Sequence, residues 1–119
     1  MPTPAAPDEA PAAPYDLALL RQTAHGSTVF MNRILASFHK NTPGSVAELH
    51  TALATQDWPA AAALAHKLRP SLRLLGAAGL SGCLATVEAP EALPPARHTA
   101  TEQLIAGLDE LLQALPQEV

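Results

Sequence analysis

Residues 61–80 read AAALAHKLRPSLRLLGAAGL, a helical run of Ala and Leu that carries one histidine, His66, three cations and an interior proline. At about 100° per residue, Leu64, Leu68, Leu72 and Leu75 share an apolar sector roughly 80° wide, with Ser71 nearby. His66, Arg69 and Arg73 fall on the opposite face, one turn apart from each other, and Lys67 projects to one side. The imidazole should therefore point to solvent with guanidinium groups beside it. Ala62 and Ala63 leave the approach to the ring open. Pro70 cannot donate to the His66 carbonyl, an omission that costs about 3 kcal/mol in a helix interior.

The same helical spacing extends to both sides. Asp57 caps this helix, Pro59 is tolerable in its first turn, and Trp58 serves as a packing anchor. Upstream, "TPGSVAELHTALATQ" reads as a helix with Thr42 as cap, Pro43 at the first helical position and an apolar face of Val46, Leu49 and Leu53. Before it, "STVFMNRILASFHKN" places Phe30, Ile34 and Phe38 at four-residue steps, with Met31 and Leu35 beside them, behind a Ser27 cap. "YDLALLRQTA" begins the ordered chain as a short helix capped by Asp16, with Tyr15 stapled onto Leu20. Downstream, Leu80, Leu84 and Val87 share a face and Cys83 fills core space. "APEALPPAR" reads as a loop, and Leu104, Leu108, Leu111 and Leu115 repeat at bundle spacing. No segment alternates as a half-buried strand would. The expectation is an all-α, antiparallel up-down four-helix bundle with a short extra N-terminal helix, spanning residues 15–116. Residues 1–14 hold five of the twelve prolines and read as a disordered Pro/Ala-rich tail.

Composition narrows the function. At 119 residues the chain can bury about two-thirds of its unfolded surface as one domain. A net charge of −4 argues against nucleic acid as the main partner. Yet three of the seven Lys and Arg residues lie within residues 67–73, and nothing acidic lies between Asp57 and Glu88. That local excess marks an anion-facing spot. A single cysteine excludes an internal disulfide and suits an intracellular protein. The N-terminus lacks the features of a signal peptide, and the longest uncharged stretch, residues 74–87, is too short to span a bilayer. A soluble, cytoplasmic monomer is expected. His25, His39, His50 and His98 lack partners at metal-ligand spacing and read as ordinary surface histidines.

Around His66 the residues resemble the histidine-containing phosphotransfer (HPt) domains of multistep phosphorelays. Their signature, His-x-Leu-Lys-Gly-Ser followed by a Gly-Ala pair and a helix ending near a Glu, is matched by His66-Lys67-Leu68-Arg69-Pro70-Ser71, Gly76-Ala77, Leu80, Leu84 and Glu88. The resemblance covers residues 15–115. It implies that His66 accepts a phosphoryl group from the aspartate of a receiver domain and passes it to another receiver. It further implies that Arg69, Lys67 and Arg73 stabilise the phosphoryl group and that Ala62, Ala63 and Pro70 meet the docked receiver. The protein would be a phosphocarrier without kinase activity, with no cofactor of its own and Mg²⁺ supplied by the receiver. Two residues depart from the signature. Arg69 stands for Lys and keeps the charge, whereas Pro70 stands for Gly and is bulkier, which bears on partner choice.

Two alternatives share some of these features. The phosphoacceptor segment of a sensor histidine kinase runs His-Glu-Leu-Arg-Thr-Pro-Leu, close to "HKLRPSL". It requires an acid directly after the histidine, where this chain has Lys67, and its proline falls at the fifth following position rather than the fourth. No ATP-binding domain or glycine-rich lid follows. The other alternative is a helical interaction module in which the histidine is incidental.

Overall fold

A computed structural model describes residues 14–119. The expected tail therefore lies outside the described residues, apart from Pro14. Five α-helices follow one another: α1 Ala18–Thr23, α2 Thr28–Thr55, α3 Trp58–Leu74, α4 Ser81–Glu88 and α5 Pro94–Ala114, with a 3₁₀ turn at Ala78–Leu80 leading into α4. Among the described residues there is no strand. Helix α2 packs against α3 and α5, and α4 packs against α3 and α5, so the four long elements close into a ring. The tight connections reverse the chain at each step, giving the expected up-down bundle, and α1 contributes Leu20 to its core.

One core fills the bundle. It gathers Leu20 of α1, Met31, Leu35 and Leu49 of α2, Leu68 and Leu72 of α3, Leu84 and Val87 of α4, and Leu104, Leu108 and Leu111 of α5. The expected apolar faces of α3 and α5 are buried, as are Leu84 and Val87 of α4 with Cys83 beside them, while Leu80 in the 3₁₀ turn is only partly buried. Burial pushes the Cys83 thiol up from its ordinary pKa, partly offset by backbone hydrogen bonds. Trp58 packs on the core edge, with its ring edge-on to His98 at 6.5 Å between centroids.

Helix α2 corrects the sequence reading. Thr42 is no cap and Pro43 opens no helix; one helix of 28 residues runs straight through both. The reason lies in the phase of the buried stripe. Met31, Leu35, Phe38, Thr42, Ser45, Leu49 and Ala52 alternate steps of four and three without interruption, so a break at Thr42 would strand half the face. Proline's fixed φ is compatible with a helix, and its missing N–H costs one hydrogen bond, which this continuous burial outweighs. The stripe is also rotated from the expected one. Phe30 is 39% exposed and Ile34 only partly buried, while Met31 and Leu35 lie inside. A second correction concerns residues 94–97, read as loop but forming the first turn of α5, where Pro94 occupies a favourable first position.

Helix ends explain how the turns stay short. At the ends of α1, α2 and α3, residues His25, Gln56 and Gly76 take left-handed φ values of 51°, 54° and 69°. Each builds the paired 6→1 and 5→2 hydrogen bonds that satisfy the last carbonyls: Gly26 to Arg21 with His25 to Gln22, Asp57 to Ala52 with Gln56 to Leu53, and Ala77 to Leu72 with Gly76 to Arg73. Asp57 then serves twice, because its carboxylate accepts the Ala60 N–H and caps α3, as Ser27 accepts from Phe30 and caps α2. Asp16 accepts from the Ala18 N–H at the start of α1. This two-residue reversal at 56–57 fixes the register of α3 on α2, and with it the position of His66.

Candidate functional site

His66 lies midway along α3, on the face opposite Leu64, Leu68 and Leu72, and its side chain is 80% exposed. The leucines anchor the helix in the core, so the outward direction of the ring follows from burial on the other side. Ala63 and Pro70 are exposed and Ala62 is partly exposed, which leaves the ring open to approach.

Facing the ring is Glu88, the last residue of α4. His66 Nδ1 lies 3.2 Å from Glu88 Oε1. On the carboxylate's other oxygen, Arg69 donates from Nε at 2.8 Å and also from Nη2. Arg69 is one turn after His66 on the same helix, so both can reach across the α3–α4 seam to one carboxylate. Burial pushes the Glu88 carboxyl up, but hydrogen bonds from Arg69 and His66, together with the charge of Arg69, outweigh it and hold the group below the ordinary carboxylate range. Glu88 is 20% exposed and so stays an anion at neutral pH.

This geometry has a chemical consequence. A carboxylate only accepts, so the ring nitrogen facing it must carry the proton. Nδ1–H then donates to Oε1, and the lone pair of a neutral ring lies on Nε2, away from Glu88 and towards solvent.

The remaining cations sit apart. Lys67 lines the clefts between α2 and α3, in company with Glu48, while Arg73 lines a cleft with Arg69, Ala77 and Ser81 between α3 and the start of α4. The sequence cluster is thus divided: Arg69 is joined to His66 through Glu88, and Lys67 and Arg73 flank it on opposite sides. Helical spacing alone places only cations beside the ring. Glu88 was visible as the end of a motif, and being the first acid after Asp57 was the available signal, but its contact depends on how α4 folds back on α3.

Elsewhere, His39 Nε2 lies 3.2 Å from the Pro116 carbonyl, and His98 Nδ1 lies 3.5 Å from Glu102. Among the described residues, no three His, Cys, Asp or Glu side chains gather as a metal site would require. None of the described helices is long and apolar enough to cross a membrane.

Residues 33–118, well over half of the chain and including His66, Arg69 and Glu88, match the model of the Hpt domain. The chain belongs to the Hpt domain family. No curated protein and no solved structure matches it. Membership means histidine phosphotransfer within two-component phosphorelays, with receiver domains as the partners and a phosphocarrier's role rather than an enzyme's. The all-helical bundle agrees with it.

The acidity of Glu88 is open to a direct check. Its folded pKa lies below the unfolded one, so its bridge adds stability above the unfolded value and loses it as pH falls through the folded value. A ¹³C carboxyl titration should find Glu88 deprotonating below the range of an ordinary glutamate, and Arg69→Gln should move that midpoint upward.

Proposed function

We propose that His66 is the phosphoacceptor of this Hpt domain and that it relays the phosphoryl group between two receiver aspartates. In the forward step the Nε2 lone pair attacks the phosphorus of an aspartyl phosphate. The phosphorus–oxygen bond breaks, its electron pair leaves with the aspartate carboxylate, and phosphohistidine forms. Transfer to the second receiver reverses these events with a new carboxylate as nucleophile.

The observation that carries this reading is the 80% exposed ring whose Nδ1 faces Glu88. Glu88 presents Nε2 in its basic form before attack. As the N–P bond forms, the ring gains positive charge, which the same carboxylate stabilises. Arg69 orients Glu88 and keeps it ionised. Lys67 and Arg73 supply a positive surround for the incoming dianion, worth about 1 kcal/mol or less per contact at this exposure. That modest hold suits a carrier, since tight binding would trap the group. Glu88 is already committed to two partners, so the carboxylates that hold Mg²⁺ belong to the receiver, and docking completes the active site. Ala62, Ala63 and Pro70 form the surface on which the receiver sits. The protein works as a cytoplasmic monomer in this reading.

The test is incubation with receiver domains phosphorylated by acetyl phosphate and Mg²⁺. Acid-labile, base-stable label on the protein supports the carrier, and failure across the host's receivers rejects it. Glu88 can be tested in the same assay. Glu88→Ala should slow phosphoryl acceptance about tenfold, the worth of one charge-assisted hydrogen bond. Glu88→Gln, which keeps a carbonyl acceptor for Nδ1–H, should recover part of that loss. Equal rates in all three proteins would remove Glu88 from the mechanism.

A further inference from the structure

Helix α3 runs uninterrupted from Trp58 to Leu74 through Pro70. In such a helix the carbonyl of His66 points along the axis towards the N–H of residue 70, and proline has none. The carbonyl beside the phosphoacceptor is therefore left without its normal helical donor.

The side chains around it are exposed or partly exposed. Pro70 is exposed, one turn from an imidazole that is itself exposed. The preceding turn carries only Ala62 and Ala63. Arg69, the long side chain nearest this strip, is drawn off across the seam to Glu88. Pro70 is exposed, so its ring fills no core space, and the helix holds through it on the buried stripe of Leu64, Leu68 and Leu72.

The chain holds an internal comparison. The sequences His39-Lys40-Asn41-Thr42-Pro43 and His66-Lys67-Leu68-Arg69-Pro70 share the pattern His-Lys-x-x-Pro, and both prolines lie inside helices. At the first, the histidine is half-buried with its ring against the Pro116 carbonyl. At the second, the histidine is free to meet a partner.

We infer that the main-chain carbonyl of His66, released by Pro70, accepts a hydrogen bond from an N–H donor on the docked receiver domain and sets the angle at which the aspartyl phosphate meets Nε2. This rests on the reading of His66 as phosphoacceptor and gives Pro70 a positioning role within it. The carbonyl is fixed to the same residue as the nucleophile, so a bond to it registers the partner against Nε2 without an intervening flexible side chain.

The experiment compares four proteins: wild type, Pro70→Ala, Pro43→Ala, and a semisynthetic protein with lactic acid at position 70. The last has a backbone ester, hence neither an N–H nor a proline ring. Each is phosphorylated by acetyl-phosphate-charged receiver domains and, separately, by phosphoramidate, a small donor that needs no docking and releases ammonia as the N–P bond forms. Pro70→Ala restores the helical donor, so it should be more heat-stable yet lose about tenfold in kcat/KM with the receiver, and keep its rate with phosphoramidate. The ester protein should stay within about twofold of wild type with both donors. Pro43→Ala should match wild type with both. Full receiver transfer in Pro70→Ala would overturn the inference, as would an equal loss in the ester protein, which would assign the effect to ring shape. If no receiver labels the wild type, the phosphoacceptor reading fails and this inference with it; a labelled wild type matched by Pro70→Ala defeats this inference alone.

Discussion

Replacing His66 with glutamine is expected to abolish phosphoryl acceptance completely while leaving the fold intact. The ring is 80% exposed, lies outside the core and hydrogen-bonds Glu88, so its loss should change stability by no more than about 0.5 kcal/mol. Glutamine has comparable length, is tolerated in helices, and offers no nucleophile of comparable strength. Thermal unfolding should be unchanged, and label from a phosphorylated receiver should fall to background. The comparison has a built-in alternative. His98 also faces a carboxylate, Glu102, and His25 and His50 are exposed. Residual acid-labile label in His66→Gln would move the acceptor to one of these.

The largest effect on stability is expected at Gly76. This residue ends α3 with φ at +69°, and a Cβ there would lie 2.2 Å from the Asp16 carbonyl oxygen and 2.7 Å from its nitrogen. The same Asp16 nitrogen donates to the Leu75 carbonyl at 3.0 Å, the bond that lays the segment before α1 across the end of α3. Gly76→Ala therefore combines a left-handed backbone penalty with a clash against main-chain atoms. The two together should cost about 2–4 kcal/mol. Denaturant unfolding should show the loss, and amide exchange should show it concentrated in residues 15–24. Gly44→Ala provides the contrasting sign. Nothing lies within 4 Å of a Cβ at that position, inside α2, so alanine should stabilise by up to about 1 kcal/mol. Equal effects at both glycines would refute the clash.

Most of the bundle was legible because leucines repeat at helical spacing and because Ser27, Asp57 and Gly76 are the residue types that start and stop helices. The sequence misleads where a strong local signal competes with a longer one. Thr42-Pro43 looks like a helix start by itself, and only the unbroken alternation from Met31 to Ala52 shows that burial outweighs it. Pro94-Pro95 looks like a loop until Pro94 is seen as a first helical residue. At the site, the outward direction of His66 followed from the leucines behind it, whereas its relation to Glu88 did not. Twenty-two residues separate that pair, and their contact needs the left-handed turn at Gly76 and the 3₁₀ turn at Ala78–Leu80 to bring α4 back alongside α3. Arg69 was legible as a cation and illegible as a cation already engaged. Spacing along one helix tells which side chains share a face, and only the neighbouring helix tells what they meet there.

With Glu88 holding the proton on Nδ1, Nε2 of His66 should form the bond to phosphorus. The most direct test is a ³¹P–¹⁵N correlation spectrum of the phosphorylated, ¹⁵N-labelled protein. The phosphorus should couple to Nε2 of His66, with Nδ1 protonated and its shift responding to Glu88→Ala. Coupling to Nδ1, or to a nitrogen of any other residue, would contradict it.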